Sequence, residues 1–309
     1  MKQFTLTLLL LIGLTEFTYA QNFYARRRDR NWALSAGIGQ SIYVGELYTP
    51  LFDKSAGFTP NVGVGLRRKI TDQLSVRFDI NYYQIAAADS LAAQASFTLG
   101  GGDQENDSRN ERNLSFRSHN FEFSSQFIFN LIPIDGPYSY RPDLNIYAIA
   151  GIGVTTNNPR GLDIASGNMV NLRKLNTEAL EEPYSGLALV IPLGMGIRIK
   201  ANQFTDIVLE GTGRITFNDY LDDASTLYPS EQEVRDYHVA NGTGLADLAA
   251  RMYDRAPEKG FGEREKGSIR GNPEYNDYYF FFQVRLEMYL SDTAFGGIFA
   301  SKKTARRLR

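Results

Sequence analysis

Few residues in this chain combine the type and the spacing that catalysis or metal binding requires. The 309-residue sequence contains no cysteine and only two histidines, His119 and His238, so it offers no thiolate ligands and no histidine-rich metal site. Ser118 precedes His119, but neighbouring side chains of a strand point to opposite faces, so this pair cannot act as nucleophile and base. We therefore expect a non-enzymatic protein with no cofactor and no catalytic or metal-binding residues.

An acidic cluster, formed by Asp219, Asp222 and Asp223, is a second place where chemistry could occur. Carboxylate oxygens suit Ca²⁺, although the spacing does not match an EF-hand loop. The alternative interpretation is a solvated loop that begins with acidic turn-forming residues. We favour the solvated loop and leave the calcium site open.

Other charged residues alternate with apolar residues along predicted strands. Between Leu74 and Tyr82, every second residue is apolar and the residues between them are polar or charged. Side chains alternate between the two faces of a strand, so these two sets lie on opposite faces. Charges of both signs could pair inside a closed barrel. We expect a lumen charge network formed by Arg77, Asp79, Glu122, Arg198, Glu210, Arg214, Arg285 and Glu287.

The strands that must position these charges recur along the whole chain. The alternation predicts eight of them, at about 32–44, 61–67, 74–82, 117–129, 144–155, 187–199, 207–217 and 278–290. Their apolar faces carry almost no charge, and no later segment has the ~20 continuous apolar residues of a membrane-spanning helix. The sequence therefore predicts an all-β fold, an eight-stranded antiparallel transmembrane β-barrel occupying residues 32–290. We expect a filled interior, because eight strands leave room only for side chains.

The connections between the predicted strands alternate in length. Short ones at 68–73 and 200–205, and one of medium length at 130–143, alternate with long ones at 45–60, 87–113, 157–186 and 218–276. Short periplasmic turns and long extracellular loops are typical of outer-membrane barrels. Within the 218–276 loop, Ser230 and Glu233 form a capping-box pattern, and apolar residues from Leu245 to Met252 recur at helical spacing. An even number of strands places both termini in the periplasm.

The two ends of the chain predict export and a basic periplasmic surface. Residues 1–20 resemble a secretory signal peptide, with a basic start, a short apolar core and a small-x-small end. A basic segment follows at 21–31, and a basic tail occupies 291–309. These segments would either be solvated termini or bind an acidic partner. The candidate partner-binding residues are Arg26, Arg27, Arg28, Arg30, Lys302, Lys303, Arg306, Arg307 and Arg309. The net charge of −2 gives no indication of nucleic-acid binding.

Four motifs resemble one barrel family. They are Ile42-Tyr43-Val44-Gly45-Glu46-Leu47, the glycine-alternating strand 145–154, Phe217-Asn218-Asp219-Tyr220-Leu221-Asp222-Asp223, and Arg270-Gly271-Asn272-Pro273 before the last strand. Together they are similar to the PorG-like outer-membrane barrels associated with type IX secretion in Gram-negative bacteria. The resemblance covers about 42–290. It implies a non-enzymatic protein that holds a periplasmic ring of a lipoprotein and its partner against the outer membrane.

The sequence is therefore compatible with two functions. The first is a barrel that docks periplasmic machinery of type IX secretion or gliding, with outer-membrane lipid and ring proteins as its partners. The second is a surface-binding or adhesion barrel, whose long extracellular loops bind a ligand. The first is the function implied by the family resemblance.

Overall fold

A computed structural model describes residues 30–47, 58–94, 103–135, 138–274 and 276–290 of the chain. The described residues form ten strands. They are β1 (Trp32–Val44), β2 (Pro60–Lys69), β3 (Leu74–Ala88), β4 (Ser115–Asn130), β5 (Leu144–Thr156), β6 (Pro159–Asp163), β7 (Asn168–Asn171), β8 (Leu187–Lys200), β9 (Thr205–Thr216) and β10 (Tyr278–Leu290).

Eight of these strands close into an antiparallel barrel. The hydrogen-bonded order runs β3-β2-β1-β10-β9-β8-β5-β4, and β4 pairs with β3 to complete the circle. The first and last strands pair along their whole length, from Trp32 opposite Leu290 to Val44 opposite Tyr278. This confirms the predicted fold class. The eight barrel strands are those that the alternation predicted, although β3 continues six residues beyond the predicted end, to Ala88.

Side chains of the barrel strands alternate between a buried interior and an exposed outer face. On β3, for example, Arg77, Asp79 and Asn81 are buried, whereas Phe78 and Ile80 are exposed. The outward positions of the eight strands carry no Asp or Glu, and their two exposed arginines, Arg68 and Arg117, lie near strand ends. We call this uncharged outer surface the apolar belt. Its exposed residues include Leu34, Ile38, Val62, Val64, Phe78, Ile80, Phe121, Phe123, Phe127, Ile152, Leu189, Met195, Leu209, Phe282, Val284 and Leu286.

The described parts of the long connections pack together into a cap over one end of the barrel. The cap contains the β6–β7 hairpin and four α-helices: α1 (Asp103–Arg112), α2 (Leu172–Leu175), α3 (Glu231–Ala240) and α4 (Ala246–Met252). Buried residues from the loops and from the strand ends form a shared apolar core, which includes Leu114, Leu175, Leu221, Val234 and Met252. The cap is therefore packed on the barrel as a structured layer.

Two cap elements differ from the sequence-based expectation. The connection 157–186 was expected to be a loop, but it holds the β6–β7 hairpin, and β6 pairs with β4 beside the barrel mouth. The last long loop contains two helices where one was expected. The predicted capping box is present at the start of α3. The side chain of Ser230 accepts a hydrogen bond from the backbone amide of Glu233, and the side chain of Glu233 accepts one from the backbone amide of Ser230. Among the described residues, no helix is long and apolar enough to span a membrane.

Candidate functional site

The centre of the lumen holds two arginines and two carboxylates that pair with one another. Arg77 donates from Nε to Asp79 at 2.6 Å and is ion-paired with Glu210. Arg285 donates to the other oxygen of Asp79 at 2.6 Å and lies 3.8 Å from Glu210. All four side chains are buried. Each charge therefore has an opposite charge beside it, which buried ions require.

Two further groups of charges lie on either side of this central one. Towards the cap, Arg214 pairs with Glu122 at 3.1 Å, and the Tyr279 hydroxyl also donates to Glu122. Towards the opposite end, Glu287 pairs with Arg67 and lies 3.6 Å from Arg198. The structure thus brings all eight charges expected in the lumen into buried ion pairs. Side chains fill the interior, as they do in other barrels of this size.

Three members of the lumen network were missing from the sequence-based set. Arg67 and Asp206 lie at inward positions near strand ends, where the alternation could have identified them. Arg141 lies in the connection between β4 and β5 and reaches back to Asp206 at 2.7 Å. No strand pattern includes Arg141, so only the folded structure identifies it.

The Asp219–Asp223 motif lies in the cap, and its members have different surroundings. Asp223 has a positive φ of 74° and accepts hydrogen bonds from Thr177 and Tyr184 at 2.6 and 2.8 Å. Leu221 is buried in the shared apolar core, and Tyr220 stacks on Tyr184 with ring centroids 4.6 Å apart. The motif is therefore part of the packed cap, which differs from the solvated loop that we favoured.

Arg270 anchors this motif from the opposite end of the same loop. Its guanidinium donates to Glu178 at 2.9 Å and to Asp223 at 3.2 Å. Burial would raise the pKa of Glu178, but the charge of Arg270 and hydrogen bonds from Thr226 and Ser225 outweigh it and hold the pKa below its usual value. Burial raises the pKa of Asp223, against the opposing effect of Arg270.

A second set of carboxylates collects at the mouth of the barrel. Glu46 follows β1, Asp219 and Asp222 follow β9, and Asp277 precedes β10. Burial, together with repulsion from Asp222 and Asp219, raises the pKa of Glu46 to about 9. Burial likewise raises the pKa of Asp219 to about 6 and that of Asp222 to about 7, and burial with repulsion raises that of Asp277. We call Glu46, Asp219, Asp222 and Asp277 the mouth cluster.

Ser118 and His119, which the sequence analysis rejected as a catalytic pair, lie on opposite faces of β4. Ser118 is buried on the lumen side, and its hydroxyl is 2.8 Å from the Asn120 side chain. His119 faces outward, with Nδ1 2.8 Å from the Tyr82 hydroxyl. The other histidine, His238, is buried in the cap, where Nε2 lies 2.7 Å from the Leu175 carbonyl oxygen. Neither histidine has a serine nucleophile within hydrogen-bond distance among the residues described.

A groove of about 440 Å³ lies where β3 and β4 meet the β6–β7 hairpin. Its lining combines apolar residues, such as Leu162 and Met169, with Arg117 and Arg160. These two arginines are directly opposite each other in the β4–β6 pairing and are exposed. Within the described chain, neither arginine forms an ion pair. The groove therefore offers positive charge next to apolar surface.

Most of the expected partner-binding residues lie outside the described part of the chain. These are Arg26, Arg27, Arg28, Lys302, Lys303, Arg306, Arg307 and Arg309, as well as the whole predicted signal peptide. Arg30 is described, and its guanidinium lies over the rings of Phe204 and Tyr138, 4.5 and 5.2 Å from their centroids. It also donates to the Tyr289 carbonyl oxygen at 2.9 Å. Arg30 therefore packs against the end of the barrel opposite the cap.

Comparisons with known proteins give structural neighbours only. No family model and no curated protein matches the chain. The chain is similar to neisserial surface protein A at 6% identity and a TM-score of 0.37, over 84% of this chain and 97% of that one. It is similar to Ail of Yersinia pestis, crystallised with a heparin analogue, at 8% identity and a TM-score of 0.36, over 84% and 97% of the two chains. It is also similar to the outer-membrane enzyme PagL, at 13% identity and a TM-score of 0.31, over 84% and 99%.

Proposed function

We propose that this protein is a non-enzymatic outer-membrane barrel that docks periplasmic machinery of type IX secretion or gliding. The observation that carries the membrane assignment is the apolar belt. Many large apolar side chains there are exposed, for example Ile38 at 68% and Phe121 at 58%. A soluble protein rarely exposes so large a contiguous apolar surface, whereas lipid-facing barrel strands require it.

The filled lumen supports a docking role in preference to transport. Ion pairs between arginines and carboxylates cross the interior from wall to wall. Aromatic side chains also fill it, where Tyr83 stacks on Tyr279 and meets the edge of Phe281. Such an interior leaves no aqueous channel. The protein would then act through its two ends, because its sides face lipid.

Docking of periplasmic ring proteins rests on the family resemblance and on the basic clusters of the termini. An even number of strands returns the chain to its starting side, so both clusters would lie on the end opposite the cap. Each exposed charge pair contributes only ~0–1 kcal/mol and is weakened by salt. Several together would speed association with an acidic surface on a ring protein or lipoprotein.

Crosslinking in intact outer membranes tests the docking role. In one variant, Lys302, Lys303, Arg306, Arg307 and Arg309 are replaced with Gln. In a matched control, five cap cations, Lys174, Arg235, Arg251, Lys259 and Lys266, are replaced with Gln. We expect the tail variant to insert normally but to recover fewer periplasmic partners, most visibly at raised salt, while the control recovers the usual amount. Equal recovery from the two variants at normal abundance would refute docking through the tail.

The groove beside β4 favours a second candidate function, surface binding at the cap end. Like charges directly opposite each other on paired strands are unfavourable, so Arg117 and Arg160 would gain from a shared anion. The second candidate is therefore a barrel whose loops bind an anionic surface ligand. Binding of a sulfated polysaccharide to whole cells, with Arg117→Gln and Arg160→Gln compared to Lys174→Gln, separates this function from docking. Unchanged binding in both arginine variants would exclude it.

A further inference from the structure

Three carboxylates from different parts of the sequence converge at the mouth of the barrel. One oxygen from each of Glu46, Asp219 and Asp277 lies within 4.8 Å of the others. The strands that carry them, β1, β9 and β10, are neighbours in the barrel, with β10 in the middle. The convergence therefore results from strand pairing.

Several oxygens of this cluster lack a hydrogen-bond donor. Both carboxylate oxygens of Asp219 are buried and have no hydrogen-bond partner. Oε2 of Glu46 is likewise buried without a hydrogen-bond partner. Buried polar atoms are nearly always hydrogen-bonded, and buried charges are paired or bind a metal. Asp219 therefore presents an unsatisfied charged group towards the centre of the cluster.

No basic side chain of the described chain forms an ion pair with the mouth cluster. The nearby arginines are engaged elsewhere, Arg112 with Asp89 at 2.7 Å and Arg270 with Glu178 at 2.9 Å. Arg112 does reach Glu46, but it donates to the backbone carbonyl oxygen and not to the carboxylate. The described ion pairs include no member of the cluster. Arg112 and Arg270 attract the carboxylate of Asp222, but Glu46, Asp219 and Asp277 have no such basic neighbour among the described residues.

The Tyr43 hydroxyl lies between two carboxylates of the cluster, which adds to the crowding of oxygen atoms there. Its oxygen lies 2.7 Å from Oδ2 of Asp222 and 2.5 Å from Oδ1 of Asp277. A phenol carries one proton and can donate it to only one of these carboxylates. Gly45 leaves room for this arrangement, because a Cβ atom there would overlap the Tyr43 hydroxyl and Asp277.

We propose that Glu46, Asp219 and Asp277 bind one Ca²⁺ ion at the mouth of the barrel. Ca²⁺ binds oxygen ligands at about 2.3–2.6 Å, so two ligand atoms of one ion lie up to about 5 Å apart, which matches the spacing of the cluster. Ca²⁺ also accepts irregular geometry and completes its shell with water, whereas Mg²⁺ needs a near-octahedral arrangement. Bound here, the ion would join the end of β1 to both ends of the connection 217–277, and so fix the cap to the barrel.

Terbium luminescence and calorimetry on the full-length protein in detergent test this proposal. After treatment with a chelator, we expect one Ca²⁺ to bind per chain, and Tb³⁺ at the site to be sensitised by Tyr43. Asp219→Asn should weaken Ca²⁺ binding at least about tenfold, because it removes a charged ligand. The matched control is Asp247→Asn, which removes an exposed carboxylate from the same loop and should bind Ca²⁺ like the wild type.

Protease resistance of the cap provides a second readout that does not depend on measuring binding. Without Ca²⁺, Asp219→Asn should protect the cap at least as well as the wild type, because it removes an unpaired buried charge. With Ca²⁺, the order should reverse. Absence of saturable binding at millimolar Ca²⁺, or equal Ca²⁺ affinity of the two variants, would overturn the proposal. A wild-type cap that does not respond to Ca²⁺ would overturn it as well.

Discussion

Arg77 on β3 and Glu210 on β9 are ion-paired across the lumen, with Nη2 3.0 Å from Oε2. Three strands separate β3 from β9 in either direction around the barrel, so the two residues lie on opposite walls. Register places both at inward positions, Arg77 opposite Arg67 and Glu210 opposite Gln283. This ion pair thus joins two strands that are furthest apart around the barrel.

We predict that removing one partner of this ion pair is costly. Arg77→Met leaves Glu210 and Asp79 facing a single arginine, and uncompensated buried charge of this kind costs ~3–5 kcal/mol. The double variant Arg77→Met/Glu210→Met retains the balanced Asp79–Arg285 pair and should lose less stability than the single variant. The free energy of unfolding in urea, followed by gel mobility of unboiled samples, measures the difference.

The control for this experiment is Arg68→Met. Arg68 precedes Lys69 at the end of β2 and is exposed on the outer face, where it lies over the Trp32 ring. A change there should stay within ~0.5 kcal/mol of the wild type. Equal losses for Arg77→Met and Arg68→Met would contradict a buried network.

We also predict negligible ion conductance. The lumen is filled by paired side chains, so reconstituted wild-type protein should give no stable single-channel steps in planar bilayers. Protein-free detergent is the control for transient leaks. Large, steady steps from the folded protein would show that the interior opens.

The apolar belt predicts a position-dependent effect of lysine substitutions. Ile80→Lys places a charge where we expect the middle of the bilayer, which costs ~2–4 kcal/mol for transmembrane barrels. Val239→Lys, at an even more exposed apolar residue of α3, should be neutral, since Ile80 is 53% exposed and Val239 71%. Folding yield into lipid vesicles distinguishes them. Were the protein soluble, the two substitutions would behave alike.

Acid should loosen the cap through Glu178. Its pKa in the folded protein lies below the usual value of about 4.5, because the charge of Arg270 and hydrogen bonds from Thr226 and Ser225 outweigh its burial. A carboxyl with a depressed pKa contributes stability at pH values above its unfolded pKa, and this contribution disappears as the pH falls through its folded pKa. Protease resistance of the cap should therefore decrease below about pH 4.5.

Glu178→Gln should remove this part of the pH dependence and weaken the cap at pH 7, because Arg270 loses a buried partner. The matched control is Glu182→Gln, at an exposed position of the same segment. It should leave both the resistance at pH 7 and its decrease in acid unchanged. An identical pH profile for Glu178→Gln and the wild type would assign the acid response to other groups.

The barrel was predictable from the sequence because its signal is local. A strand places alternate residues on opposite faces, so the alternation of apolar and polar residues within each strand shows which side chains face the lumen and which face outward. That alternation identified the eight barrel strands and the inward position of residues such as Arg77 and Glu287. The capping box at Ser230 is equally local, because both of its partners lie within one turn of α3.

The cap and the mouth cluster were decided by the tertiary structure. The short β6–β7 hairpin has too few residues for a clear alternation, and α1 is entirely polar, so neither has a strong local pattern. Glu46 and Asp277 are 231 positions apart in the sequence, and only the pairing of β1 with β10 brings them together. Sequence spacing grouped Asp219 with Asp222 and Asp223. The fold turns Asp223 towards Arg270 and turns Asp219 towards Glu46, because adjacent residues of an irregular loop need not share a direction.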